Sequence, residues 1–282
     1  MSIELRDVCY TYAPGTPYES RAVNDFSLTI GDGEFVGIMG RTGCGKSTLI
    51  QLIAGLITPE KGQVLIDGKD INDRHYDRAQ LRRKVGVVFQ FPEVQLFEKT
   101  VEKDVAFGLK YFGWSEEEKT AAVKGALEEV GFDFEKVRDK SPLEFSGGEK
   151  RRIAIAGVLA AKPEILILDE PVAGLDPLGR KAFLKLLDEL NGSGVTVVMI
   201  SHSADALAEH AGRIAVLKEG RLLTDGPAAE VFSKYGYLRE NGIGTGQVRH
   251  TVELLRQRGM DIPEDTVRYD QLLQEILGRK KI

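Results

Sequence analysis

The chain has 282 residues, 42% of them hydrophobic and 29% charged, enough apolar material for a sizeable core in one or two lobes. Its formal net charge of -5 and pI near 5.6 leave no basic excess to displace counterions, which argues against non-specific nucleic-acid binding. Cys9 and Cys44 make no disulfide framework and point to a reducing compartment, while the early charges Glu4, Arg6 and Asp7 are unlike a secretory leader. No apolar run reaches the length of a membrane span, so work at a membrane is expected from outside the hydrocarbon.

In chain order, "IELRDVCYTY" alternates as an edge strand would, and "RAVNDFSLTIGDGEFVGIMG" reads as strand, Gly-Asp-Gly turn, strand. "FVGIM" runs directly into "GRTGCGKST": Gly40, Arg41, Thr42, Gly43, Cys44, Gly45, Lys46, Ser47 and Thr48. This is the phosphate loop G-x-x-x-x-G-K-[ST] in its strand–loop–helix setting. Its glycines let backbone N–H groups turn inward around phosphates, and the helix start adds positive potential. Lys46 is placed to reach the β- and γ-phosphates of a nucleotide such as ATP, and Ser47 to give its hydroxyl to Mg²⁺. Cys44, at a helix start, is either a reactive thiol or an inert small residue.

Further on, "LIDGKDI" and "LKEGRLL" carry the Asp-Gly and Glu-Gly turns of hairpins. "VGVVF", "EILILD" and "VTVVMIS" join "FVGIM" as continuous apolar runs, the pattern of buried parallel strands covered by helices on both faces. Gln90 ends one of these strands and can offer its carbonyl to Mg²⁺. Residues 91–162 turn helical and are expected to form a smaller lobe inserted into the sheet domain. Within it, Ser115 with Glu118 and Ser146 with Glu149 match the capping box. The stretch 91–97, with Phe91, Val94, Leu96 and Phe97, suits either a docking surface or the core of that lobe. "ILILDE" ends in two carboxylates: Asp169 as a metal holder and Glu170 as a general base for water attacking a γ-phosphate. His202 closes "VTVVMIS" at the carboxyl edge of the sheet, where ligands of open α/β sheets bind; His75, His210 and His250 read as surface residues. "QVRHTVELLRQRG" and "YDQLLQEIL", separated by Pro263, read as two short helices that need the main domain or a partner to cover them.

The ordered set "GRTGCGKST", "VVFQ", "FSGGE", "ILILDE", "AGLD" and "SH" resembles an ABC-type ATPase over roughly residues 1–235. The resemblance implies an α/β P-loop NTPase fold of ABC type: a mixed, largely parallel sheet core, an N-terminal antiparallel β part and an inserted helical subdomain. It also implies a head-to-tail dimer with ATP held between one subunit's phosphate loop and the other's Ser146, Gly147 and Gly148. Asp176 of "AGLD" then links the two sites, and Tyr12 stacks on adenine.

"VVFQFPEVQLFEKTVEKDVAFG", "AIAGVLAAKPEILILDEPVAGLDPLGR" and the tail "LLRQRGMDIPEDTV" are similar to the ATPase subunits of energy-coupling factor transporters, in the second of their two types. This implies an importer of vitamins or transition-metal ions at the cytoplasmic face of the cell membrane. Its partners would be a second, similar ATPase (a mixed pair, or a copy of itself), a transmembrane coupling subunit and a substrate-binding membrane subunit. Residues 236–282 form a short helical extension contributing to the ATPase pair, and no nucleic-acid partner is implied. Three departures stand out: Phe145 and Glu149 in place of Leu and Gln in the signature, and Val172 in place of a common Thr. A non-transport ABC protein acting on DNA or ribosomes is the alternative. It is disfavoured because the chain has one cassette and no sustained heptads between phosphate loop and signature. A P-loop small-molecule kinase leaves "FSGGE", "AGLD" and His202 unexplained.

Overall fold

A computed structural model describes residues 2–279. Among these residues ten strands form two sheets. The first is antiparallel and runs β2 (Ser20–Ile30), β1 (Ile3–Tyr12), β4 (Lys61–Ile66), β5 (Lys69–Asp70). The second has six strands in the order β10 (Arg221–Pro227), β9 (Arg213–Lys218), β3 (Phe35–Gly40), β8 (Thr196–Ile200), β7 (Ile165–Asp169), β6 (Val85–Val88). Its neighbours from β9 to β6 are parallel, and β10 alone is antiparallel.

The four apolar runs are therefore four adjacent parallel strands, as their two-faced burial demands. Along β3, β7 and β8, alternate residues enter different cores. Met39, Leu168 and Met199 face the helical lobe, whereas Ile38, Ile167 and Ile200 face the antiparallel sheet. The lobe's Val101, Val105, Val123 and Ile153 belong to the same apolar cluster as that sheet face, so lobe and sheet share a core. On the other face, the helix Lys46–Ile53 is buried between the two sheets through Leu49, Ile50, Leu52 and Ile53.

One expectation fails: β1 is an inner strand, paired with β2 on one side and β4 on the other. Its side-chain alternation reports one buried face and carries no information about how many backbone neighbours it has. The two C-terminal helices, Gly246–Gln257 and Tyr269–Arg279, share a minor cluster of Val252, Ile262 and Leu272. They dock on the helix Ala204–His210, where Arg268 Nε donates to Ala208 O at 3.1 Å. Among the described residues, no helix is long and apolar enough to cross a membrane.

Candidate active site

Strand register assembles the site. In β7 and β8, Asp169 lies opposite Ile200, and in β3, Ile38 lies opposite Ile200. The residues that follow each strand, Arg41 onward, Glu170, and Ser201–His202, therefore leave the sheet along one carboxyl edge. β6 stops at Val88, opposite Leu168, which brings Gln90 to the same edge.

The phosphate loop closes on itself before the helix begins. Gly45 has φ 108, and a Cβ there would collide with the carbonyl of Ala22, so only glycine serves at that position. Lys46 is buried, with Nζ donating to Gly40 O at 2.7 Å and Arg41 O at 3.0 Å. Its charge thus sits over the loop's centre, where phosphate oxygens would meet the N–H groups of the loop.

Ser47 Oγ donates to Asp169 Oδ2 at 3.1 Å, joining the helix start to the end of β7. Burial raises the carboxyl pKa of Asp169, with the Ser47 hydrogen bond and the Lys46 charge pulling the other way. Glu170 next to it adopts φ 50, a left-handed conformation uncommon outside glycine and often kept at functional positions. Its backbone is fixed by its N–H donating to Ile200 O at 3.0 Å. Ser201 Oγ donates to its Oε2 at 3.4 Å, while His202 Nε2 stands 3.6 Å from Oε1, beyond hydrogen-bond reach. Oε1 is buried and has no hydrogen-bond partner. Burial raises the pKa of this carboxyl too, partly countered by His202.

Lys46, Ser47, Asp169, Glu170 and His202 line a cavity of about 350 Å³, together with Thr42, Gly43, Thr48, Gln90 and Tyr12. The Tyr12 hydroxyl lies 3.2 Å from both Thr48 Oγ1 and Gln51 Oε1, so its ring stands beside the helix as part of the cavity wall. Gly40 and Arg41 line an adjoining cavity that shares Thr42 and His202. Cys44 is buried in the core against the antiparallel sheet, with Lys46 Nζ 3.9 Å from its Sγ. His75, His210 and His250 do not line the nucleotide-sized cavity.

Neither do Ser146, Gly147, Gly148 and Asp176. Ser146 caps the helix Gly147–Leu159 with Glu149 in a complete capping box, and Asp176 caps Pro177–Gly192 through Gly179 N at 2.7 Å. Gly148 approaches Leu175 of "AGLD", so these two motifs are neighbours in the fold.

The family model described as ABC transporter matches residues 23–173. An "Energy-coupling factor transporter ATP-binding protein EcfA2" of Clostridium tetani is 45% identical, covering 98% of this chain and 96% of the relative. The protein of the same name from Symbiobacterium thermophilum is 46% identical, covering 99% and 96%. The chain belongs to the ABC transporter family, among the ATPase subunits of energy-coupling factor transporters.

Solved structures agree. CbiO1 of Clostridium perfringens, described as part of the ABC transporter complex cbiONQ, superposes with a TM-score of 0.74 at 35% identity, over 90% of this chain and 98% of that one. A dimeric ATP-binding cassette in a post-hydrolysis state, bound to ADP and Pi, gives 0.71 at 32% identity over 80% and 98%. Sequence reasoning missed two contributors to this ABC ATPase site. Ser201 holds Glu170, and Arg151, 3% exposed, donates from the signature helix to Glu170 O at 2.9 Å and to Ala173 O. Arg151, Ile155 and Leu159 are spaced by four, which places the arginine on the buried stripe of its helix. That spacing was the available signal.

Proposed function

We propose that this chain is the ATP-hydrolysing motor subunit of an energy-coupling factor importer and that Glu170 is its general base. The observation that carries the second part is the orphaned Oε1 of Glu170, buried at the sheet edge beside the phosphate loop. A water between that oxygen and a γ-phosphate would find its acceptor there. As its oxygen bonds to the γ-phosphorus, the bond to the β,γ-bridging oxygen breaks, ADP leaves, and the water's proton passes to Glu170. His202 orients this water or the γ-phosphate, and Lys46 holds the β- and γ-phosphates.

Ser47 hydroxyl, Asp169 carboxylate and the Gln90 amide carbonyl form an all-oxygen set that suits Mg²⁺. When bound, Mg²⁺ neutralises phosphate charge.

The signature faces outward for a second ATPase subunit. Gly147 has no positive φ, and a Cβ there would meet nothing within the chain, so its smallness serves an approach from outside. A groove of about 360 Å³ lined by Leu56, Leu81, Val85, Phe89, Phe112 and Val158 suits an apolar segment of the membrane subunit. Phe91, Val94 and Phe97, exposed by 50%, 78% and 64%, favour docking over a core role for residues 91–97, with Pro92 buried and Leu96 packed against the core between them. In this reading residues 1–235 are the ATPase with 91–162 inserted, and 236–282 the extension. The assembly sits on the cytoplasmic face of the membrane and imports a vitamin or transition-metal ion bound by another subunit.

The test compares phosphate release and fluorescent-ATP binding for wild type and Glu170→Gln. Hydrolysis is expected to fall by about 10²–10⁴ with binding retained. Hydrolysis at the wild-type rate would remove Glu170 from the chemistry.

A further inference from the structure

The C-terminal extension grips the ATPase at the hydrolytic end of the nucleotide site. Asp205, in the first turn of the helix that follows His202, accepts hydrogen bonds from Gln247 N at 2.8 Å and Val248 N at 3.1 Å. Its carboxylate thereby satisfies two of the orphan donors at the start of the extension's helix Gly246–Gln257. Gly246 has φ 80, and a Cβ there would run into the Asp205 carboxylate, so this approach requires glycine.

A second grip falls on the Arg41 side chain of the phosphate loop and on the end of β9. Gly242 lies against Arg41, whose Cδ is 3.2 Å from where a Cβ would stand, and Lys218 Nζ donates to Asn241 Oδ1 at 2.9 Å. Between the two grips lies a cavity of about 350 Å³. Arg41 and His202 form its inner wall, and Gly242 and Gly244 its outer wall. The His202 imidazole itself is 54% exposed, so its position depends on how its backbone is held. That backbone is fixed by neighbours: Ser203 N donates to Ser201 Oγ at 3.1 Å, and Arg180 Nη2 donates to Ser203 Oγ at 2.8 Å.

We propose that the extension is a positioning element for hydrolysis, and that Asp205 is the positioning residue through which it sets His202 relative to the phosphate loop. Docking of residues 241–248 holds the segment after β8 and the loop after β3 to one frame. Releasing Asp205 lets them drift apart, and small misplacements of groups around a reacting centre cost large factors in rate. The proposal rests on the assignment of Glu170 and His202 to hydrolysis given above.

The experiment measures kcat, KM and fluorescent-ATP affinity on full-length variants. Asp205→Ala and Gly246→Ala are expected to lower kcat about tenfold or more at unchanged ATP affinity. Asp205→Asn, which keeps one of the two acceptor contacts and faces the other N–H with its NH2 group, is expected to recover only part of the rate lost in Asp205→Ala. Arg268→Ala, which cuts only the extension's far contact with Ala208, is expected to hydrolyse normally. In a Glu170→Gln background, Asp205→Ala is expected to show the same ATP-dependent association as its parent, alone or with the second ATPase. The proposal is overturned if Asp205→Ala keeps its kcat, if Arg268→Ala costs as much, or if the loss follows lost dimerisation. Inactive Glu170→Gln and His202→Ala beside a fully active Asp205→Ala would sink the clasp alone; active Glu170→Gln and His202→Ala would sink the underlying site assignment.

Discussion

Glu170 Oε1 and His202 Nε2 face each other at 3.6 Å across the ends of two neighbouring parallel strands, one group buried and the other open to solvent. The arrangement places a carboxylate inside and an imidazole at the mouth of the site. The raised pKa of Glu170 follows from its burial, and His202 moderates it.

Hydrolysis needs Glu170 ionised, so kcat is expected to fall as pH drops through a value above the ordinary glutamate 4.5. His202 lowers the Glu170 pKa, so His202→Ala should move this acidic limb to higher pH, besides lowering the rate. A pH–rate profile of both proteins reads this out; a limb that moves down contradicts the pairing. The stability sign is opposite. A carboxyl whose folded pKa is raised loses stability as pH rises through the window between its unfolded and folded values. Glu170→Gln should therefore melt higher than wild type at neutral pH.

Light scattering of Glu170→Gln with and without Mg-ATP tests the outward-facing signature. A dimer that forms only with ATP means that one kind of chain completes both sites with its own Ser146–Gly148. A nucleotide-bound monomer means that the signature waits for a different ATPase.

Glu149 draws its carboxylate into the cap of Ser146, accepting from its N–H at 2.9 Å and its hydroxyl at 2.7 Å. These bonds lower the Glu149 pKa, so the charge persists through neutral pH at the helix start that the proposed function offers to phosphate. Glu149→Gln keeps the cap and removes the charge. ATP-driven pairing or turnover should rise on the order of fivefold, the factor for one like-charge contact in water-like surroundings. Unchanged affinity and rate would show that Lys150 and Arg152 already offset it.

Phe97 and Phe107 meet edge to face with ring centroids 4.8 Å apart, on the surface of the helical lobe. Val94→Ala should leave folding stability within about 0.5 kcal/mol, and Phe97→Ser should cost about 0.5–1.5 kcal/mol through the lost aromatic pair. Co-purification with the membrane subunit should be lost. General unfolding would instead return residues 91–97 to the core.

The four parallel strands were legible because two-sided burial writes an unbroken apolar run. β9 was seen only as half of a hairpin, since "RIAVLK" is flanked by charge and its parallel pairing with β3 is a backbone matter. The site was legible where one short stretch carries its own geometry, as in Gly40–Thr48. Ser201, Arg151 and Asp205 escaped because each acts on a residue brought close only by folding: 31 positions away for Ser201 and Glu170, 19 for Arg151 and Glu170, 42 for Asp205 and Gln247.

Arg151 ties the helix that begins at Ser146 to the backbone carbonyls of Glu170 and Ala173. The part of the molecule that would grip a neighbour's nucleotide is thereby bolted to the part that would cleave its own. A tug on one is felt by the other without any rearrangement between them. Two such chains facing head to tail would each carry news of the opposite nucleotide to their own carboxylate, so their firing would be correlated rather than independent.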